Sequence, residues 1–325
     1  MSETGNKIGK IFLFFLIFFM LVWYGSRIVE PKDNLDQYGM KDVSANGILS
    51  ERKDSIDVLF LGDSLVYSSI SPMEMYEKEG FTSYLCSTPA QPLYYTKSLL
   101  ERTLQDQSPK VVVLEADTFF RDFLATDPAV EKIKEAFPLF EYHDRWKKLQ
   151  SQDWTGDVHY TYNNVLKGFR IHREIKPVEK IGAYMDDRKK GENISIVNRW
   201  VLDSIVQMCK EKNCQVLVYS APSYKNWNWK RHDAVQTYCD DNHIPYLDLN
   251  TETKSLSIDW KEDTRDQGDH LNFKGAMKVT KYMESYLKKN YDLQDHRQDE
   301  HYQSWNDSLE NYKKTIEGKN DADRM

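Results

Sequence analysis

Residues 11–24 are apolar without a break, and Ile8, Gly9, Gly25, Ile28 and Val29 extend the stretch, with Lys10 near enough to its end to snorkel. That is about the length needed to cross a bilayer, so residues 1–29 read as an N-terminal membrane anchor. Residues 30–52 are polar and carry Pro31, Gly39 and Gly47, which reads as a stalk. Short apolar runs then recur at 56–61, 110–114, 215–219 and 244–249, each bounded by Pro, Gly, Asn or Asp. They predict buried strands. Between and after them, Val197, Val201, Ile205, Met208 and Cys209, and later Ala276, Val279, Met283, Tyr286 and Leu287, repeat at helical spacing. Continuous apolar strands alternating with amphipathic helices predict an α/β domain whose central parallel sheet is covered on both faces, with ligands at the carboxyl ends of the strands.

The alternation lapses over about 119–198, where aromatic and charged residues mix. This segment is expected to be a helical insertion in a domain running over 53–290, serving as a lid or substrate wall. Residues 291–325 are polar and predict a surface helix with Tyr302, Trp305 and Leu309 on one stripe and a frayed end. A chain of 325 residues can form one such large domain.

Composition narrows the function classes. The formal charge is −7 with basic and acidic residues interspersed, which argues against nucleic acid as a partner. Cys86, Cys209, Cys214 and Cys239 make neither a disulfide framework nor a CxxC pair, and are expected as small buried hydrophobes. Val22-Trp23-Tyr24-Gly25 offers no small-x-small cleavage site, so an uncleaved anchor is expected rather than a removed signal. Lys7 and Lys10 before the span and Arg27 and Lys32 after it give a shallow charge bias. With so short an N-terminal tail the large domain is expected to be the translocated part, which would place residues 31–325 outside the cytoplasm.

The sharpest chemical signal is Gly62-Asp63-Ser64, where a buried strand breaks at glycine and presents serine at its carboxyl end. A hydroxyl there, at the start of a helix, sits at the mouth of the sheet with its own N–H near the helix N-terminus, where negative charge is favoured. The alternative is that Asp63 or Ser64 only caps the next helix. A serine nucleophile needs a base. Of eight histidines, His270 has the suitable setting, a loop over 266–272 after the last strand and directly ahead of a helix starting near Gly275.

Phe60-Leu61-Gly62-Asp63-Ser64, paired with Gly268-Asp269-His270-Leu271-Asn272-Phe273-Lys274-Gly275-Ala276, resembles the SGNH/GDSL hydrolase superfamily over roughly residues 57–287. With its single N-terminal anchor the chain looks most like the DltD-like bacterial proteins that act in acylation of cell-envelope polymers. The resemblance implies a three-layer, flavodoxin-like domain, with Ser64 as nucleophile and His270 as base. The family's orienting aspartate stands three residues before the histidine, where this chain has Gln267. Asp266 or Asp269 must take that role, and Asp266 is preferred because side chains four apart on a turn converge. The oxyanion glycine would fall within 86–91 and the later asparagine within 219–222, and neither stretch contains the residue. The expected donors are therefore the Ser64 N–H beside Gly62 and Asp63, with a backbone N–H near Ser87 or the Gln91 amide.

The implied activity is serine-dependent transfer of a D-alanyl or acetyl group to a cell-wall polymer or lipid-linked acceptor, with a multispanning membrane O-acyltransferase as partner and neither metal nor organic cofactor. A membrane-anchored esterase and a non-catalytic envelope scaffold are the alternatives. Other candidates weigh less. His143 and Arg145, with Trp146, could line a substrate cleft or form an aromatic-charged helix edge. Trp227 and Trp229 could stack on a ligand or pack under a loop. Asp295, His296 and His301 read as solvated surface, and Asn193-Ile194-Ser195 matches a glycosylation sequon, a pattern with a high chance rate.

Overall fold

A computed structural model describes residues 3–182, 184–186 and 193–322. The chain forms two compact units, one from Met1–Val43 with Leu124–Tyr162 and the other from Ser44–Phe123 with Asn163–Met325.

The second unit is built on five parallel strands, β1 Val58–Gly62, β2 Ser83–Ser87, β3 Val111–Glu115, β4 Gln215–Ser220 and β5 Tyr246–Asp248, in the order β2-β1-β3-β4-β5. This is the doubly wound, flavodoxin-like order, whose switch point lies between β1 and β3. Because side chains alternate across a strand, the sheet feeds two cores. Leu59 and Leu61 join Val112 and Leu114 on one face, under the helices Leu93–Thr103, Ile196–Glu211 and Trp229–Asn242. Val58 and Phe60 join Val111 and Val113 on the other, under the helices Ser64–Ser69 and Phe273–Asn290. All four cysteines are buried and free.

The N-terminal apolar helix, the α/β order and the four apolar runs emerge as elements, whereas β2 was not anticipated. Ser83-Tyr84-Leu85-Cys86-Ser87 has polar ends and lies at the sheet edge, yet all five residues are buried. Its outer side is covered by the returning chain, the Leu85 N–H donating to the Lys167 carbonyl at 3.0 Å.

The stalk and the insertion need correcting. Residues 30–52 are not a free tether. In the first unit, Asp33 accepts from the Thr161 N–H at 2.7 Å and Asn34 from the Tyr162 N–H at 2.9 Å. In the second, Glu51 forms a buried ion pair with Lys167 at 2.6 Å. The insertion is likewise divided: 124–162 belongs with the N-terminal helix, and 163 onward packs onto the sheet unit.

In the first unit the helix Glu3–Val29 contains a stretch, Asn6–Val29, long and apolar enough to cross a membrane. Its C-terminal end is held by protein: Ser26 Oγ accepts from the Leu139 N–H at 3.2 Å, and Arg145 donates to the Val29 carbonyl.

In the tail, Tyr302, Trp305 and Tyr312 are buried and Leu309 packs beside them, so the aromatic stripe of the helix Gln303–Ala322 belongs to the core. The fraying expected of the last residues falls partly on 323–325, which lie outside the described residues. His296, expected in solvent, instead contacts Asp57 at 2.8 Å and stacks on Tyr302.

One buried acid in this fold makes a stability prediction. Glu284 is buried on the helix Phe273–Asn290, and burial, then the charges of Glu79 and Glu74, push its carboxyl up from 4.5 to about 7. The folded state therefore holds this proton more tightly than the unfolded chain. Its contribution is fully present below pH 4.5 and is lost as pH rises through about 7. Glu284→Gln is expected to flatten that decline in the difference between variant and parent urea midpoints measured from pH 4 to pH 8; parallel curves would contradict it.

Candidate active site

At Gly62, the last residue of β1, no side chain fits: a Cβ would stand 2.6 Å from both Glu115 Cβ and Val66 Cγ2. Gly62→Ala is therefore expected to lower stability by about 1–3 kcal/mol through overpacking, read as a fall in urea midpoint; an unchanged midpoint would show that β1 and β3 part easily. The chain then turns at Asp63, whose Oδ1 accepts from the Leu65 N–H at 2.9 Å and caps the helix Ser64–Ser69. Capping and presentation of the serine are thus one arrangement. Ser64 takes the first helical position, where a backbone N–H has no intrahelical acceptor.

His270 reaches Ser64 from the loop before the helix Phe273–Asn290, which Asn272 caps by accepting from the Gly275 N–H at 3.1 Å. The loop is tight, with Gln267 at φ 64° and Gly268 at φ 90°. Thr264 Oγ1 holds it from within, accepting from the Gly268 N–H at 2.7 Å and donating to the His270 carbonyl at 2.9 Å. His270 Nε2 lies 2.7 Å from Ser64 Oγ, and His270 Nδ1 lies 2.6 Å from Asp266 Oδ2. Asp266 Oδ1 also accepts from the His270 N–H at 2.6 Å.

Burial opposes ionisation of Asp266, but the His270 side-chain and backbone hydrogen bonds, with the charges of His270 and Arg265, outweigh it and hold the carboxyl below its usual range. An ionised Asp266 makes Nδ1 the donor, leaving Nε2 to accept from the serine hydroxyl. Asp269 is drawn aside: it lies 3.7 Å from Nδ1 and accepts from Asn226 Nδ2 at 2.6 Å. Asp266, Asp269 and His270 are close enough together to surround a cation. Both imidazole nitrogens, however, already face Asp266 and Ser64, so a cation bound there would displace one of those contacts.

Beside the nucleophile lies a charged network that the sequence reading missed. Asp63 Oδ2 accepts from Arg121 Nε at 2.9 Å and from Arg121 Nη2. Arg121 Nη2 also donates to Asp117 Oδ2 at 3.1 Å, and Arg231 Nη1 to Asp117 Oδ1 at 2.6 Å. The Asp117 N–H donates to Glu115 Oε2 at 3.0 Å. Burial, then the charges of Asp63 and Asp117, raise the Glu115 carboxyl well above its usual range. Burial and Asp63 push Asp117 up to about 6 against the pull of Arg231 and Arg121. The available signal was position: residues 116–121 directly follow the carboxyl end of β3, the immediate neighbour of β1.

The other expected site residues divide. Ser87 ends β2 opposite Gly62, is buried, and its Oγ has no hydrogen-bond partner among the described residues. The Gln91 amide is not available to an oxyanion. Its oxygen accepts from Thr88 Oγ1 at 3.0 Å, and its nitrogen donates to Thr96 Oγ1 at 2.9 Å, with all three residues buried. His143 and Arg145 belong to the first unit, where Arg145 is buried and paired with Asp153 at 3.0 Å, a structural use in place of the expected substrate contact. Trp227 is buried and donates to Asp248 at 2.9 Å, which makes it packing, whereas Trp229 is exposed.

No protein-family model matches the chain, and a search of curated proteins finds no match. Among solved structures it is similar to a GDSL-like lipase from Bacteroides thetaiotaomicron, at 12% identity and TM-score 0.40, over 76% of this chain and 100% of that one. A psychrotrophic esterase from Pseudoalteromonas sp. matches at 13% identity and TM-score 0.39, over 73% and 98%. The lipase/acylhydrolase from Enterococcus faecalis matches at 9% identity and TM-score 0.37, over 74% and 98%. At such values the likeness says nothing of substrate, which is left to the side chains.

Proposed function

We propose that this protein is a serine acylhydrolase or acyltransferase of the SGNH/GDSL type, acting on an O-acyl ester through an acyl-enzyme at Ser64. The observation that carries the reading is the continuous relay from Asp266 through His270 to Ser64, with contacts of 2.6 and 2.7 Å. His270 Nε2 takes the hydroxyl proton as Ser64 Oγ attacks the acyl carbon. Collapse of the adduct expels the alcohol, which leaves with that proton. Water or a hydroxyl acceptor, deprotonated in turn by His270, then resolves the acyl-enzyme.

Transfer to a cell-envelope polymer is the finer reading, with a multispanning O-acyltransferase supplying the acyl group. It is supported by the apolar helix Glu3–Val29, whose end is packed into protein through Ser26 and Val29, contacts that cleavage of the helix would remove. On this reading the helix is retained as an anchor and the sheet unit works outside the cytoplasm.

Transfer and hydrolysis separate in the partition of products. With p-nitrophenyl acetate and rising glycerol, a transferase gives acetylated glycerol at the expense of acetate. A hydrolase gives acetate throughout, and absence of nitrophenolate release would return the chain to a non-catalytic scaffold.

A further inference from the structure

We infer that Arg121 is a catalytic residue, its free Nη1 edge supplying an oxyanion donor beside the Ser64 N–H. The inference rests on the acyl-enzyme reading above. An oxyanion needs donors already aimed at it, and a site with one backbone N–H is short of them. The Gln91 amide is consumed by buried Thr88 and Thr96. Arg121 is an unspent donor tied to the nucleophile by connectivity, because its guanidinium is bound to Asp63, the residue joined to Ser64.

The guanidinium is built in rather than loosely placed. Nε and Nη2 are held by Asp63 and Asp117, and the Arg121 carbonyl accepts from Asn198 Nδ2 at 3.1 Å. Nη1 has no hydrogen bond or ion pair among the described residues. Its carboxylate partners are shielded, at 0% and 7% exposed, while the Arg121 side chain is 31% exposed. The open part of the cluster is therefore the arginine edge, at the strand ends where ligands bind in such sheets. Arg231 shares the charge of Asp117, so Asp63 and Asp117 are matched by two arginines. An N–H fixed in this way needs no reorganisation when charge develops.

In the step so assisted, Ser64 Oγ bonds to the acyl carbon and its proton passes to His270 Nε2. The carbonyl π pair moves onto oxygen, where the Ser64 N–H and Arg121 Nη1–H donate. On collapse the ester C–O bond breaks, the C=O re-forms, and the departing alkoxide takes the proton from His270.

The test uses the full chain with Arg121→Gln, Arg121→Ala and Arg121→Lys. p-Nitrophenyl acetate is the substrate because, being neutral, it gives no signal from recognition of a substrate charge. Arg121→Gln is expected to lose on the order of 100-fold in kcat with little change in KM, the size of a lost oxyanion donor. Affinity for phenylboronic acid, which forms a tetrahedral anion on serine, should fall in step, while the pH midpoint of activity stays in place. Arg121→Lys should retain an intermediate rate if Arg121→Ala does not fold, and added guanidinium should restore part of the rate of a folded Arg121→Ala. A kcat within a few-fold of the parent in Arg121→Gln would overturn the assignment, as would a fall in kcat with boronate affinity unchanged. A parent with neither turnover nor fluorophosphonate labelling at Ser64 would instead remove the acyl-enzyme reading, and this inference with it.

Discussion

Ser64→Ala is expected to abolish ester turnover, by a factor on the order of 10⁴ or more, and to leave the fold in place. The size follows from removing the atom that forms the acyl bond: what remains is binding and whatever oxyanion stabilisation survives. Stability is expected to hold because the helix cap belongs to the neighbouring residue. Asp63 Oδ1 keeps its 2.9 Å bond from the Leu65 N–H, and alanine loses only the contact from Ser64 Oγ to His270. Alanine is also the best helix former for the first turn of Ser64–Ser69. Turnover measured beside the urea midpoint checks both halves. A Ser64→Ala protein that still turns over the ester would place the nucleophile elsewhere.

Asp266→Asn is expected to cost on the order of 10²- to 10⁴-fold in kcat, and Asp269→Asn only a few-fold. Asparagine at 266 can still accept from the His270 N–H, but it turns an amide NH₂ toward Nδ1. That favours the tautomer protonated on Nε2, which cannot accept the Ser64 proton. Asp269 has no such hold on the ring, at 3.7 Å from Nδ1 and bonded to Asn226. Equal losses in the two variants, or a larger loss at 269, would reverse the assignment.

How much could be read in advance depended on the distance over which each feature is encoded. β1 and β3 are runs of Val, Leu and Phe, buried on both faces, and such runs announce themselves. The break at Gly62-Asp63-Ser64 is equally local, and so is the turn bearing His270. Deciding between Asp266 and Asp269 took the backbone, because left-handed Gln267 and Gly268 are what fold Asp266 back onto the ring. β2 was hidden because its burial comes from a chain segment some 80 residues away, around Lys167, which no local pattern records. The two-unit division rests on similar long-range pairs, Asp33 with Thr161 and Asn34 with Tyr162. Glu115, Asp117 and Arg121 look like ordinary polar residues at and just beyond a strand end; only the β1–β3 pairing brings them to Asp63.

The most direct test of the central claim is the mass of the intact protein after treatment with a fluorophosphonate, followed by peptide mapping. A single adduct on Ser64, absent from Ser64→Ala and slowed in His270→Ala, is the predicted result. An unmodified protein, or an adduct on a different residue with Ser64 untouched, would contradict it.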